Sequence, residues 1–241
     1  AGKVRDWIYV SNESIHQIIF GIEPGGNFKH SDQYRTIFGA DELLYVLSGV
    51  LIINNPETGE THKVLPGESV FFQKDTWHHA FNYSDEYLQV LEFFSPPPIT
   101  GTSGAYAKEK KLLTNLKYKR DNFLFPSEQF KNENSFKILR KNEYIWSLEG
   151  ANQETLIATL VKTKNLDVKI INLKSLQESN VFNFKKNTSY LSLNDNLEVI
   201  IDNDKQFLLS KKDGMYLPKN CSFKIKNLNN FDSNIIFCIG I

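Results

Sequence analysis

The sequence predicts an all-β protein made of two tandem antiparallel β-barrels. Short runs of Ile, Val, Phe and Tyr recur between turn signals in both halves of the 241-residue chain, which is typical of β-sandwiches and barrels. The order of the runs in the second half repeats that in the first, and an internal repeat indicates two copies of one unit. A chain of this length that is 41% hydrophobic can bury two cores of roughly 100 residues each.

The first barrel is predicted over residues 1–105. Gly and Pro signals such as Pro24-Gly25-Gly26 and Pro66-Gly67 separate its runs. Pro96-Pro97-Pro98 then ends strand formation, because proline cannot donate to a β-ladder. The predicted strands of this unit are 15–22, 43–47, 50–53, 69–72 and 87–94.

A connector rich in Lys and Asn is predicted over residues 106–134, and the second barrel over 135–241. The run 7–9 before 15–22 has a counterpart in the run 144–146 before 155–161. The predicted strands of the second barrel are 136–139, 144–148, 155–161, 168–173, 190–193, 197–201, 207–209, 215–217 and 234–239. Residues Ala1-Gly2 are left out of the fold prediction.

Composition excludes several classes of partner. The 28 Lys and Arg equal the 28 Asp and Glu, so no net positive field attracts nucleic acid. No run approaches the ~20 apolar residues that span a bilayer, and no signal peptide opens the chain. The two cysteines, Cys221 and Cys238, predict neither a disulfide framework nor a thiolate metal site. We therefore expect a cytoplasmic protein with a small-molecule ligand, and leave a homodimer open.

All five histidines lie in the first third of the chain. Imidazole is the commonest metal ligand and the side chain that titrates near neutral pH. A metal or acid–base centre built on histidine is therefore predicted in the first barrel only.

Two spaced motifs in the first half resemble those of the cupin superfamily. Glu42 is separated by six residues from Gly49, as in the second half of the first cupin motif. The second motif is matched, with Gln and Asp where the family has Pro and Gly, by Gly67, Gln73, Asp75, His78 and Asn82. Together with the repeat, the chain resembles a two-domain bicupin. The resemblance implies jelly-roll barrels (double-stranded β-helices) with a metal or substrate cavity inside.

The second half keeps the spacing of the motif but not its ligands. Phe223 stands where the motif has its histidine, and alignment of the earlier strand places Ser189 opposite Glu42. The second cupin domain is therefore degenerate, and its predicted role is structural.

The resemblance leaves two interpretations of the first barrel. In the first, a loop insertion makes His30 a ligand, so that His30, Glu42 and His78 hold one divalent Fe, Mn, Ni or Zn, with Asp32 as an optional fourth ligand. In the second, the cavity is metal-free and Arg35 projects into it to bind an anionic group. The positions that the family motif gives to its HxH pair hold Arg35 and Ile37 or Thr36 and Phe38 instead.

Other side chains near the motifs are assigned by strand alternation and loop position. His79 follows His78 directly, so it is expected on the opposite face of the strand. His16 is expected to face away from the cavity and His62 to be exposed. Tyr34 and Arg35, in the proposed insertion, are the candidates for substrate contact, with Tyr34 as a proton donor.

The resemblance implies a metal-dependent dioxygenase, isomerase or lyase that acts on a small anionic or polyhydroxylated metabolite. The alternatives are a metal-free ligand-binding module and a structural cupin without catalysis.

Overall fold

The computed structural model describes residues 4–122, 135–202 and 204–241. They divide into two compact units, Ala1–Glu143 and Tyr144–Ile241, and each unit consists of two antiparallel sheets. The prediction of an all-β chain with two tandem barrels is confirmed. Residues 123–134 of the predicted connector and Ala1-Gly2 lie outside the described residues. No helix of the described residues is long and apolar enough to cross a membrane.

The described residues of the first unit form ten strands in two sheets. The larger sheet has the order β1-β2-β9-β4-β7-β10, and the smaller has the order β3-β8-β5-β6. The strands are β1 (Val4–Ser11), β2 (His16–Ile22), β3 (Asn27–Phe28), β4 (Asp41–Ser48), β5 (Leu51–Asn54), β6 (Thr61–Val64), β7 (Ser69–Phe72), β8 (His79–Asn82), β9 (Leu88–Ser95) and β10 (Lys137–Leu139). A 3₁₀ helix (Pro98–Thr100), the helix α1 (Gly104–Glu109) and a second 3₁₀ helix (Lys141–Glu143) complete the unit.

The core of the first unit lies between its two sheets. Alternate residues of β4 and β9, such as Leu44, Val46 and Val90, are buried against Phe20 and Phe72. Successive side chains of a strand point to opposite faces, so one set fills the barrel and the other covers its outside. Both sets are largely apolar here, which is why these strands read as continuous hydrophobic runs.

The boundary between the two units lies later than the sequence predicts. Strand β10, which the sequence assigned to the second barrel, pairs with β7 of the first, with Ile138 opposite Val70. Phe136, directly before β10, is buried in the first core. The domain boundary at residue 135 is therefore corrected to follow Glu143. An edge strand of this kind carries no signal of which sheet it joins.

The second unit repeats the sheet order of the first, with β12-β13-β20-β15-β18 matching β1-β2-β9-β4-β7, whereas β10 and β11 have no counterparts among the described strands. Its larger sheet has the order β11-β12-β13-β20-β15-β18, and its smaller sheet β14-β19-β16-β17. The strands are β11 (Trp146–Glu149), β12 (Thr155–Lys162), β13 (Asp167–Leu173), β14 (Phe182–Asn183), β15 (Thr188–Ser192), β16 (Leu197–Ile201), β17 (Lys205–Leu209), β18 (Gly214–Leu217), β19 (Ser222–Asn227) and β20 (Ser233–Ile239). By sheet order β12 corresponds to β1, which contains run 7–9. The sequence instead matched run 7–9 with run 144–146, which ends at the start of β11, so that match is wrong by one strand.

A buried asparagine closes the same corner in both units. The Asn82 amide donates to the carbonyl oxygens of Ile22 and Glu86, at 2.9 and 2.8 Å. The Asn227 amide likewise donates to the carbonyl oxygens of Leu173 and Phe231, at 3.2 and 2.8 Å. Asn82 and Asn227, the last residues of the second motif in the two units, therefore stabilise the fold and do not bind a ligand.

Strand register corrects one residue of the predicted alignment. Glu42 pairs with Phe72, the last residue of β7, whereas the last residue of β18, Leu217, pairs with Thr188. Thr188, and not Ser189, therefore occupies the position of Glu42. Both side chains are hydroxyls, so the second barrel still has no carboxylate at this position.

Aromatic rings fill the interior of the second barrel. Phe223 packs on Tyr190 with 5.2 Å between ring centroids, and Tyr190 stacks on Phe237 at 5.1 Å. Phe182 and Phe184 pack on the same Phe223 ring. The replacement of the motif histidine by phenylalanine is thus part of a packed aromatic core.

Candidate functional site: the cavity of the first barrel

The first barrel encloses an open-mouthed cavity of about 350 Å³ between its two sheets. Its lining combines apolar rings with ionisable groups that point inward. The ionisable groups are Asp6, His16, Tyr34, Glu42, His78 and Glu92, and the aromatic ones are Phe20, Phe28, Phe38 and Phe94. Concave sites of this kind, with a few convergent polar groups, are where small molecules bind.

Glu42 and His78 face each other across the barrel. Glu42 lies on β4 of the larger sheet, and His78 directly precedes β8 of the smaller sheet. Their nearest atoms, Oε2 of Glu42 and Nε2 of His78, are 3.9 Å apart. The two residues are only 2% and 4% exposed, so the barrel holds an acid and an imidazole almost out of bulk water.

The protonation of His78 follows from its contacts. Nδ1 of His78 lies 3.3 Å from the Thr76 carbonyl oxygen, and a carbonyl only accepts, so Nδ1 carries the proton. Nε2 is then the unprotonated nitrogen and faces Glu42. The rings of Phe72, Phe38 and Phe28 surround the imidazole, with centroids 4.7, 5.5 and 6.4 Å away. Burial lowers the pKa of His78 to about 4 despite this hydrogen bond.

Two further carboxyl groups, which sequence reasoning missed, line the same cavity. Glu92 lies on β9, paired with Leu44 on one side and Ile18 on the other. Asp6 lies on the edge strand β1 at the mouth. Burial, followed by the charge of Asp6, raises the pKa of Glu92 to about 8. The only sequence signal was an acid inside an otherwise apolar run.

Burial and carboxyl neighbours also hold the pKa of Glu42 well above its usual value, burial first and then Glu92 and Asp41. This shift favours the protonated acid form of Glu42 beside the unprotonated Nε2 of His78. When the surroundings move the pKa values of two neighbouring groups in opposite directions, one group can act as the acid and the other as the base.

Tyr34 and His16 complete the polar lining. Tyr34 is at the mouth, 38% exposed, with its ring edge-on to Phe28. Burial and the charges of Glu92 and Glu42 raise the pKa of its phenol, so Tyr34 can donate a hydrogen bond. His16 lines the cavity as well, contrary to expectation, because β2 turns this residue inward. Burial lowers its pKa to about 4.

His30 does not join Glu42 and His78. Its Nε2 donates to the carbonyl oxygen of Leu113 at 3.1 Å, which leaves Nδ1 to accept a hydrogen bond from Nε2 of His79 at 2.7 Å. Both ring nitrogens are thus occupied. His79 is fully buried on the face of β8 opposite the cavity, so its predicted face is correct, but it is not exposed.

The remaining predicted contacts also lie outside the cavity lining. Arg35 does not line it, and Asp32 is exposed. Phe38 stands in the lining at a position that the family motif gives to a histidine. His62, expected to be exposed, is half-buried, with its Nε2 2.7 Å from Oε1 of Glu60.

The residues that line the cavity do not form the predicted metal site. Among residues 4–122, 135–202 and 204–241, no three His, Cys, Asp or Glu side chains converge as metal ligands would. Glu42 and His78 supply two donors, and protein sites for catalytic metals usually supply three. We therefore derive no chemical step through a metal.

Comparisons with known proteins agree with this architecture. Residues 19–94 match the sequence family of the cupin domain. No curated protein sequence matches the chain.

Solved structures match over almost the whole chain. AerE from Microcystis aeruginosa is 13% identical with a TM-score of 0.65, covering 99% of this chain and 92% of AerE. Salicylate 1,2-dioxygenase from Pseudaminobacter salicylatoxidans is 11% identical with a TM-score of 0.69, covering 96% and 72%. A mutant of Bacillus subtilis oxalate decarboxylase is 10% identical with a TM-score of 0.65, covering 99% and 72%. At these identities the likeness is one of fold.

The matched segment, residues 19–94, runs from β2 to β9 and includes both motifs. The repeated sheet order extends the same architecture through the second unit. Residues 19–94 therefore form a domain that matches the cupin family, and the second unit repeats its two-sheet architecture without the motif residues of the first.

Proposed function

We propose that the first barrel is an enzyme centre that moves a proton on a small substrate, as isomerases and lyases do. The observation that carries the proposal is the pair of Glu42 and His78, 3.9 Å apart in a cavity of about 350 Å³. Burial raises the pKa of Glu42 and lowers that of His78, which favours a protonated acid in the first and an unprotonated base in the second. An acid and a base positioned in this way can carry out general acid–base catalysis.

The step balances without any further reactant. Nε2 of His78 takes a proton from a carbon or oxygen atom of the substrate, and the carboxyl of Glu42 gives one to another atom. The product leaves behind an imidazolium beside a carboxylate, and transfer of one proton between them, directly or through water, restores the starting state. Tyr34 at the mouth donates a hydrogen bond to a polar group of the substrate.

The second barrel has the role of a scaffold in this proposal. Its interior is filled by aromatic side chains, and Thr188 and Phe223 replace the acid and the base. The second barrel is thus an internal example of the same fold without the acid and the base.

Deuterium exchange into mixed metabolites tests the proposal, because the label marks any molecule whose carbon-bound hydrogen the pair removes. The protein is incubated in D₂O with pools of small metabolites, and mass spectrometry detects deuterium gained at carbon. We expect exchange in at least one pool, and its loss in Glu42→Gln and in His78→Phe, which copies the second barrel. Glu57→Gln, an exposed acid outside the cavity, is the matched control and should leave exchange unchanged.

Two outcomes would contradict the proposal. Ligand binding without exchange would make the barrel a binding module. Near-stoichiometric Fe, Mn, Ni or Zn in protein purified without chelator, lost in both Glu42→Gln and His78→Phe, would restore the metal-dependent interpretation.

A further inference from the structure

The lining of the cavity is unbalanced in its ionisable groups. Three carboxyl side chains, Asp6, Glu42 and Glu92, point into it, and among the described residues no Lys or Arg lines it. Arg35, the predicted anchor for an anion, lies outside the lining. A carboxylate in a poorly hydrated cavity is costly unless an opposite charge or hydrogen-bond donors face it.

The deepest of these acids lacks a hydrogen-bond partner in the part of the chain that the structure describes. Glu42 is 2% exposed, and among the described residues its carboxyl oxygens make no hydrogen bond. The nearest ionisable side chain, His78, is 3.9 Å away and presents an unprotonated nitrogen. The acid thus points into the cavity with its hydrogen-bonding capacity unused, and a ligand is the group that can satisfy it.

Aromatic faces surround the acids. Phe28, Phe38 and Phe94 line the cavity with Phe20, and Phe38 packs on Phe94 with 5.5 Å between centroids. The negative face of an aromatic ring attracts a cation, most strongly where water is excluded. Carboxyl groups and rings together favour a positive head on an apolar body, and the volume, near the lower limit of the roughly 300–1,000 Å³ of ligand pockets, requires a compact one.

We propose that the substrate of this cavity is a small organic cation, a primary or secondary amine with an apolar or aromatic body. This inference rests on the proposed function, because it names the substrate class for the same site. The ammonium group lies beside Glu92, the protonated Glu42 can accept a hydrogen bond through its carbonyl oxygen, and the apolar body contacts the phenylalanine rings. An anionic metabolite, which the sequence resemblance implied, would face three carboxyl groups without a cationic side chain.

Three probes with one carbon skeleton test the charge directly. 2-Phenylethylammonium, 2-phenylethanol and phenylacetate are titrated by calorimetry into the full chain at pH about 8, near the pKa of Glu92 of about 8. We expect the amine to bind at least about tenfold more tightly than the alcohol, a difference of about 1.4 kcal/mol, and phenylacetate to bind most weakly. Glu92→Gln should remove this preference by weakening the amine alone, and the exposed Glu57→Gln should not.

The proposal is overturned if the alcohol or phenylacetate binds as tightly as the amine, or if the amine shows no binding up to about 10 mM. It is also overturned if Glu92→Gln behaves like Glu57→Gln, or if the same sample contains stoichiometric divalent metal.

These outcomes are separate from failure of the proposed function. Tighter binding of the alcohol, with deuterium exchange that still depends on Glu42 and His78, would refute the substrate class and leave the proton-transfer pair intact. Preferred binding of the amine, with exchange that is insensitive to His78→Phe, would refute the pair and keep the substrate class.

Discussion

Nε2 of His79 donates a hydrogen bond to Nδ1 of His30 across 2.7 Å, so two histidines from distant parts of the first barrel form one pair. His30 can accept through Nδ1 only while its ring is neutral, because it already donates through Nε2 to Leu113. A proton on Nδ1 of His30 would point at the donor of His79. This geometry keeps His30 away from Glu42 and His78.

The histidine pair predicts a loss of stability in acid. Burial lowers the pKa of His79 to about 3 and also that of His30, so the unfolded chain binds more protons below pH of about 6.5. The free energy of unfolding should therefore fall as pH drops from about 6.5 toward 4. Urea unfolding should show that His79→Gln, which can still donate to His30, loses on the order of 1 kcal/mol less than the wild type over this range. Equal losses would contradict this account of the pair.

Glu92 predicts the opposite dependence at higher pH. Its pKa is raised to about 8 by burial and by Asp6, so the folded chain holds a proton that the unfolded chain releases above pH of about 4.5. The wild type should lose stability as pH rises from about 4.5 to 8, on the order of 2 kcal/mol more than Glu92→Gln. Thermal unfolding at steps of pH measures the difference, with Glu57→Gln as control. Parallel curves for Glu92→Gln and the wild type would mean that Glu92 is ionised in the folded protein.

The two corner asparagines predict matched effects in the two barrels. Asn82 is 1% exposed and satisfies the carbonyl oxygens of Ile22 and Glu86, so Asn82→Ala leaves buried carbonyl groups without donors. We expect a loss of about 2–4 kcal/mol in the free energy of unfolding, and a similar loss for Asn227→Ala. Only Asn82→Ala should also weaken binding of 2-phenylethylammonium. A loss under about 0.5 kcal/mol in either variant would show that water replaces the amide.

Arg35 predicts a negative result. Its side chain does not line the cavity, so Arg35→Ala should leave the affinity for 2-phenylethylammonium within about twofold, roughly 0.4 kcal/mol, of the wild type. Calorimetry under the conditions used for Glu92→Gln measures this. A tenfold change in either direction would place the guanidinium at the ligand.

The sequence was sufficient for the barrels and for part of the site. Turn signals and the repeat predicted two barrels, and motif spacing selected Glu42 and His78, which the fold brings face to face. His30 could not be placed correctly, because its environment depends on Leu113 and His79, which are distant along the chain. Glu92 was missed because the sequence does not show which face of the sheet an acid within an apolar strand occupies. That face is known only once the strand register is known.

The pairing of β10 with β7 has a consequence for the order in which the protein forms during synthesis. The strand that closes the first barrel, Lys137–Leu139, comes after the residues that build the cavity. Until Leu139 has left the ribosome, β7 is an open sheet edge, which can pair with another nascent chain. Completion of the first barrel must therefore wait for the synthesis of Lys137–Leu139, which follows β9 (Leu88–Ser95) only after a long intervening segment.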